Sequence, residues 1–137
     1  QYQMATFIKK YYNSSTVALN DIGAVAWFSD AGIVDLWGLA NIEVTKSKKQ
    51  HYWTADFLDS LCRSKKAEMA IIYDSWFPDS LTHHWNKVAT WQIQNNVICG
   101  DDIVSFYSLN PAEKDQMQQQ LKDFQSQLPA TITVKYY

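Results

Sequence analysis

The sequence predicts a single α/β domain of three layers, spanning residues 1–137, with helices on both faces of a mixed sheet. Two short apolar stretches flank a helical segment between residues 16 and 39, as parallel strands joined by a crossover helix do. A third apolar stretch, Met69 to Tyr73, follows another helical segment. Toward the C-terminus apolar and polar residues alternate, which is typical of strands with one apolar face. We therefore expect a sheet that is parallel in its first half and antiparallel toward the C-terminus.

Composition narrows the class of protein. Hydrophobic residues make up 47% of the chain and aromatic residues 15%, which is enough for one core and argues against disorder. The formal charge of −2 comes from acidic and basic residues mixed along the chain, so nucleic acid is not an expected partner. No run approaches the ~18 apolar residues of a membrane-spanning helix, which predicts a soluble domain. Because the chain begins at Gln1 without an initiator Met, we expect a piece of a longer protein or a processed product.

The first half of the chain divides at its polar and glycine-containing segments. Apolar residues at helical spacing predict a first helix over residues 3–12, and a helix of short length over residues 22–28. Strands are predicted at Thr16 to Leu19 and at Ile33 to Leu36. Residues 41–50 are polar and are predicted as a loop. The lysines of this segment form either a solvated surface or a site for phosphates or anionic lipid headgroups: Lys46, Lys48 and Lys49.

The second half of the chain begins with a helix predicted over His51 to Ser64, followed by the buried strand Met69 to Tyr73. Alternation predicts a strand from about Lys87 to Gln94, and the apolar run at Ile103 to Leu109 predicts its antiparallel partner. Asn110 and Pro111 have the residue types of a helix start, so the next helix is predicted to run to about Leu128. A last β-like segment covers residues 131–136.

Polar residues follow two of the predicted parallel strands. If the first three strands are ordered 2-1-3, the carboxyl ends of the first and third flank the point where ligands of doubly wound sheets bind. Asn20, Asp21, Asp74 and Trp76 would then share one crevice, where carboxylates accept hydroxyl protons and an indole stacks on a sugar ring. The structural alternative is that Asn20 and Asp21 cap the following helix, and that Asp74 caps a turn.

Asp35 lies inside an apolar run, between Ile33-Val34 and Leu36-Trp37. An ionised carboxylate is costly to bury without partners, so Asp35 should either meet backbone donors or lie at the edge of the sheet. It is therefore a fifth candidate binding residue with a structural alternative of its own. Gly38 is expected to supply a turn with positive φ.

The sequence lacks the residue patterns that several kinds of catalytic and metal site require. His83 and His84 are adjacent, so their side chains diverge, and no set of His, Cys and Asp residues with metal-ligand spacing accompanies them. The sequence has no glycine-rich phosphate loop and no nucleophile elbow, and neither a cofactor nor a metal is expected. Cys62 and Cys99 are interpreted as two buried free thiols, although a single disulfide remains an alternative in an oxidising compartment.

The segment from Val17 to Val44 resembles bacterial multi-pass membrane glycosyltransferases of the mannosyltransferase type, which use polyprenyl-linked sugar donors. The resemblance lies in a strand that ends in N-D-I-G-A, at residues 20–24, and in a strand that ends in D-x-x-G-L, from Asp35 to Leu39. Trp27 and Phe28 precede the turn between them. The similarity covers roughly the first 80 residues, and in that family these motifs open a soluble domain that follows the last membrane helices.

The resemblance implies an extracytoplasmic domain, on the periplasmic side and tethered to the inner membrane through a membrane body of the parent chain. It carries over no catalytic residue, because the catalytic carboxylates of that family lie in loops near its amino-terminal membrane helices. The expected function is a non-catalytic accessory domain that assists recognition of a glycan acceptor or a lipid-linked sugar donor. The alternative is a structural or protein-interaction module that docks through aromatic side chains: Trp85, Trp91, Tyr136 and Tyr137.

Overall fold

The computed structural model describes residues 1–137, apart from the side chain of Thr82. It contains five α-helices and a six-stranded mixed sheet, which confirms the predicted α/β class. The helices are α1 Tyr2–Tyr11, α2 Gly23–Phe28, α3 Ile42–Lys49, α4 Ala55–Ser64 and α5 Lys114–Phe124. The strands are β1 Thr16–Leu19, β2 Gly32–Asp35, β3 Met69–Ile72, β4 Asn86–Ile93, β5 Ile103–Ser108 and β6 Ile132–Tyr136. Short 3-10 turns follow β3, precede β4 and flank α5.

The strand order across the sheet is β2-β1-β3-β5-β4-β6. Strand β1 lies parallel to both β2 and β3, with Ala18 opposite Val34 on one side and Ala70 on the other. The remaining pairs, β3 with β5, β5 with β4 and β4 with β6, are antiparallel. The 2-1-3 order that was the condition for the expected crevice is present, and the predicted change from parallel to antiparallel pairing is confirmed. The carboxyl ends of β1, β2 and β3 therefore lie at one edge of the sheet.

One face of the sheet is covered along most of its width by α1 and α5. Phe7 of α1 is central to this core, and its ring lies 5.8 Å from the ring of Phe106 and 5.5 Å from that of Phe124. Trp91 packs on the same group, with its ring 4.5 Å from Phe106. Trp85 and Trp91 are both buried, so they cannot form the docking surface suggested above. The other two aromatic residues proposed for that surface are more accessible: Tyr137 is exposed and Tyr136 is half-buried.

The opposite face is covered over only part of the sheet. Leu58, Leu61 and Cys62 of α4 pack against Ala70 and Ile72 of β3 and against neighbouring side chains of β1 and β2. Beyond β3 the same face carries mainly polar side chains of β4, β5 and β6, and an open groove lies over them. This half-covered face is the feature of the fold that positions the candidate site.

Three local predictions were wrong. Residues 41–50 contain α3 rather than a loop, because Asn41 Oδ1 accepts from the Glu43 N–H at 3.0 Å and Val44 and Ser47 are buried. The helix predicted from His51 begins only at Ala55, after Thr54 as its cap. His51 itself has a φ of 60°, which is incompatible with a continuous helix.

The third error concerns the capping of α2. Ile22 occupies the N-cap position of this helix, and no side chain caps it. Asn20 and Asp21 are therefore not its caps, because their side chains bond to other parts of the protein. None of the helices in the described part of the chain has the length and apolar character needed to cross a bilayer.

Candidate binding site

The Asp74 carboxylate is the centre of a polar cluster at the carboxyl end of β3. Its Oδ2 accepts from Lys87 Nζ and from Ser105 Oγ, both at 2.7 Å, and its Oδ1 accepts from the Tyr107 hydroxyl at 2.9 Å. Ser105 and Tyr107 are two residues apart on β5, so their side chains point to the same face of the sheet. Lys87 comes from the neighbouring strand, where it lies opposite Tyr107. Pairing of β5 with β3 and β4 therefore assembles the cluster.

Burial keeps the Tyr107 hydroxyl of this cluster protonated. Burial raises the pKa of Tyr107 well above its ordinary value, and the negative charge of Asp74 raises it further. The phenol of Tyr107 therefore stays neutral and donates to the carboxylate. The side chains of Asp74 and Lys87 are each about one third exposed, at 35% and 30%, so a ligand can reach both charges.

A groove of about 540 Å³ extends from Asp74 across the uncovered sheet face. Thr90 and Gln92 of β4, Ile103 of β5, and Thr133 and Lys135 of β6 line it. Cross-strand pairing explains this set, because Thr90 lies opposite both Ser105 and Lys135, and Gln92 lies opposite Ile103 and Thr133. The groove continues beside Tyr107 toward Asp79 and His83.

Tyr137 presents an aromatic ring at the groove and is 44% exposed. Lys135 Nζ lies 4.6 Å from the centre of this ring and Lys87 Nζ lies 5.2 Å from it. Burial raises the pKa of Tyr137, but hydrogen bonds with Thr90 and Lys135 and the charges of the two lysines outweigh burial and lower the pKa below its ordinary value. The ring thus offers a flat apolar face that carries a polar hydroxyl group.

Asp101 closes the groove at the edge of the sheet where β3 ends. Its carboxylate accepts from the Ser75 hydroxyl and, at 3.0 Å, from the Ile103 N–H. Burial raises the pKa of Asp101, but these hydrogen bonds outweigh it and lower the pKa overall. The groove therefore contains two carboxylates, on Asp74 and Asp101, and two ammonium groups, on Lys87 and Lys135. Its charges balance, and it offers both donors and acceptors.

Three of the five residues predicted to bind ligand are brought together around Tyr73, on the other side of the strand end. Asn20 Oδ1 accepts from the Tyr73 N–H at 3.0 Å, and Asp21 Oδ2 accepts from the Tyr73 hydroxyl at 3.1 Å. The ring of Trp76 packs on that of Tyr73 at 5.4 Å and on that of Trp37 at 4.7 Å. Asn20 is buried, and its Nδ2 has no hydrogen-bond partner among the described residues.

Asp35 accepts hydrogen bonds from the loop that directly follows it. Its Oδ1 accepts from the N–H groups of Trp37 and Gly38, both at 2.9 Å, and its Oδ2 accepts from the Ala40 N–H at 2.6 Å. The expectation that this buried carboxylate meets backbone donors is confirmed. Gly38 has a φ of 91°, as predicted for its turn. Among the five predicted residues, only Asp74 lines the groove.

Lys48 and the cysteines also differ in part from expectation. Lys48 turns inward and donates to the Trp37 carbonyl at 2.8 Å, so it is not simply solvated. Both cysteines are free: Cys62 is buried, but Cys99 is only half-buried. Burial raises the pKa of Cys62 to about 12, so its thiol is unreactive. No group of three or more potential metal ligands occurs among the described residues.

Sequence reasoning missed most of the groove residues, including Lys87, Thr90, Gln92, Thr133 and Lys135, and also the Asp74 partners Ser105 and Tyr107. The strands that carry them were predicted, and their alternation already separates one polar face from one apolar face. The position of that polar face beside Asp74 depends on which strands pair, and no local pattern encodes this.

Comparison with known proteins gives one match. The family described as "Domain of unknown function (DUF8728)" matches residues 1–107, which include the first four helices, the first four strands and all but the last residue of β5. No curated protein and no solved structure matches the chain. The protein therefore belongs to the DUF8728 family.

Proposed function

We propose that this domain is a non-catalytic accessory module of a membrane-bound glycosyltransferase, and that the groove beside Asp74 binds carbohydrate. The observation that carries the carbohydrate proposal is the open groove itself, where the ring of Tyr137 adjoins side chains that both donate and accept hydrogen bonds. The resemblance of the strand ends at residues 20–24 and 35–39 to such enzymes supports the parent class. An extracytoplasmic location and attachment to a membrane body of the parent chain belong to the same proposal.

The chemistry of the groove favours a sugar over an anion. A phosphate or nucleic acid would meet the carboxylates of Asp74 and Asp101 as well as the two lysines, so charge gives no net attraction. Sugar hydroxyls both donate and accept, and so match carboxylates, ammonium groups, hydroxyls and the amide of Gln92. A pyranose also has an apolar face that can stack on an exposed aromatic ring such as that of Tyr137.

NMR titration of the 15N-labelled chain with neutral mannose-containing oligosaccharides tests the groove. We expect saturable shifts of the amides of Thr90, Gln92 and Lys135, with weak affinity. Tyr137→Ala should weaken binding about tenfold because the stacking surface is lost, whereas Tyr137→Phe should retain most of it. Shifts confined to Asn20, Asp21 and Trp76, or no saturable shifts, would contradict the groove as the binding site.

A second pair of variants separates the groove from general effects of substitution. Gln92→Ala removes an exposed amide from the groove and should weaken binding several-fold. Gln116→Ala removes an exposed amide from α5, which covers the other face of the sheet, and should leave binding unchanged. Equal losses in the two variants would count against a specific site.

The parent class has a separate test in the complete gene. Membrane-spanning helices encoded upstream of Gln1 would support an accessory domain of a membrane enzyme. A gene that encodes only a soluble chain starting near Gln1 would contradict it. The isolated domain should show no transferase activity with polyprenyl-linked sugar donors.

A further inference from the structure

Exposed aliphatic side chains lie in two of the loops that follow strands. Val97 and Ile98, between β4 and β5, are 91% and 88% exposed. Leu39, in the loop after β2, and Ile42, at the start of α3, are 72% and 67% exposed. Side chains that contact so little of the protein project from the surface and add nothing to the packing of the core.

Topology places both pairs at the same edge of the sheet. Strands β1, β2 and β3 are parallel to one another, β5 runs against β3, and β4 runs against β5. The chain therefore leaves β2 and β4 in the same direction. The order β2-β1-β3-β5-β4 separates these strands by four strand spacings, or ~19 Å.

Tyr2 adds an aromatic ring to this edge. The side chain of Gln1 donates to Asp21, which follows β1, and this bond places the start of α1 at the same edge. The ring of Tyr2, which is 58% exposed, packs edge-on against Phe28 at 5.3 Å. Gln1 also lines one surface depression with Val97 and Ile98, so the start of α1 and the aliphatic tip are neighbours.

The tip that carries Val97 and Ile98 pairs three of its backbone groups through the side chain of Asn96. Asn96 Oδ1 accepts from the N–H groups of Ile98 and Cys99, at 3.1 and 2.8 Å, and Asn96 Nδ2 donates to the Cys99 carbonyl at 2.9 Å. Each backbone group that is already paired in this way lowers the free-energy cost of moving the loop out of water. The tip is thus organised to present two aliphatic side chains to an apolar medium.

We infer that this edge docks on the surface of a lipid bilayer, with Val97 and Ile98 inserted and with Tyr2, Leu39 and Ile42 at the interface. Convex apolar groups spread over ~19 Å fit a flat deformable surface better than a single protein pocket. Tyrosine is favoured where one end of a side chain is apolar and the other is wet. Asp21, Asp101 and Asp102 lie near the same loops, so the attraction arises from apolar burial and not from anionic headgroups.

Docking at this edge would also hold the groove close to the lipid surface. Asp101 lines the groove and lies three residues after Ile98 in the same loop. A sugar bound beside Asp74 would therefore lie within reach of a lipid to which it was linked. Docking itself rests on the exposed edge alone, and it does not require that the groove bind sugar.

Co-sedimentation of the 137-residue chain with phosphatidylcholine vesicles tests the inference. We expect measurable binding that persists at high salt and does not increase when phosphatidylglycerol is added. The double variant Val97→Ser/Ile98→Ser should lower the partition coefficient at least tenfold, and Leu39→Ser/Ile42→Ser should lower it as well. Thermal unfolding of the first variant should match the original chain, because both side chains are almost fully exposed.

Four results would overturn the inference. They are absence of vesicle binding, binding only to anionic vesicles with loss at high salt, unchanged binding of both double variants, and self-association that depends on Val97 and Ile98 without vesicle binding. The last result would identify a second copy of the chain as the partner of this edge. Failure of the oligosaccharide titration would leave vesicle binding unaffected, so the two proposals fail separately.

Discussion

Asp35 illustrates how a residue that suggests ligand binding can instead organise a turn. Its carboxylate is buried and accepts three backbone N–H bonds within the next five residues. These donors lie where β2 ends and the chain turns toward α3. The negative charge therefore stabilises the loop that carries Leu39, and a binding role is not needed to explain why Asp35 interrupts an apolar strand.

The variant Asp35→Asn should lower the free energy of unfolding by about 1.5–3 kcal/mol. The amide nitrogen that replaces one carboxylate oxygen cannot accept a bond, so at least one of the three backbone N–H groups loses its partner. Urea denaturation measures the change. Asp30→Asn is the matched control, because Asp30 is exposed and its hydrogen bonds among the described residues go to Asn13, and its effect should stay within about 0.5 kcal/mol. Similar losses in both variants would refute the structural role.

Helix α3 is short and polar, and it was not predicted from the sequence. Its sequence lacks an apolar stripe of the usual width. In the structure, Val44 and Ser47 are its buried residues. Its position is instead fixed by Lys48, whose Nζ lies 3.2 Å from the ring centre of Trp37 and 4.7 Å from that of Trp53. Burial lowers the pKa of Lys48, while the charge of Asp35 acts in the opposite direction. Cation–π contacts thus replace part of the missing hydrophobic face.

Removing that cation should loosen α3. Lys48→Met keeps most of the aliphatic stem but loses the contacts with both indole rings and the bond to the Trp37 carbonyl, so we expect a loss of about 1–2 kcal/mol. Tryptophan emission should change at the same time because the environment of Trp37 and Trp53 changes. Lys49→Met, at an exposed position of the same helix, should change neither stability nor emission. An unchanged spectrum for Lys48→Met would argue against the contact.

For the whole molecule, three buried tyrosines make the free energy of unfolding depend on pH in the alkaline range. Burial is the main cause that raises the pKa of Tyr12, Tyr73 and Tyr107, and nearby carboxylates add to it in all three. Their pKa values in the folded chain therefore exceed the value of ~10 in the unfolded chain. Above that pH the unfolded state loses phenolic protons first, so the folded state is disfavoured.

The free energy of unfolding should be insensitive to these tyrosines below about pH 10 and should fall above it. Each tyrosine contributes a slope of up to about 1.4 kcal/mol per pH unit. Urea denaturation between about pH 9 and pH 11 measures the slope. Tyr107→Phe removes one of the three titrating phenols, so its plot of unfolding free energy against pH should fall less steeply than that of the original chain. This holds even though the variant loses the bond to Asp74. Parallel curves would contradict the assignment of Tyr107 to this effect.

Sequence reasoning succeeded where the pattern is local. The strands around Val17, Ile33 and Met69 were found from their apolar runs, and β4 and β5 were found from alternation and apolar content. The parallel direction of the first strands followed from the general rule for crossover connections, whereas the 2-1-3 order had been only a condition. The same reasoning failed for α3, where one cap and one cation replace periodicity, and for the roles of Asn20 and Asp21, whose partner Tyr73 lies more than fifty residues away.

The sequence by itself determined the α/β class, the parallel first half of the sheet and the need of Asp35 for partners, because these depend on periodicity and on the cost of burying charge. Only the tertiary structure decided which polar groups share a site. Asp74, Lys87 and Ser105 meet because β5 pairs with β3 on one side and with β4 on the other. The groove exists because α4 covers β3 but leaves the face of β4, β5 and β6 open, and that is a property of packing which no short segment of the chain contains.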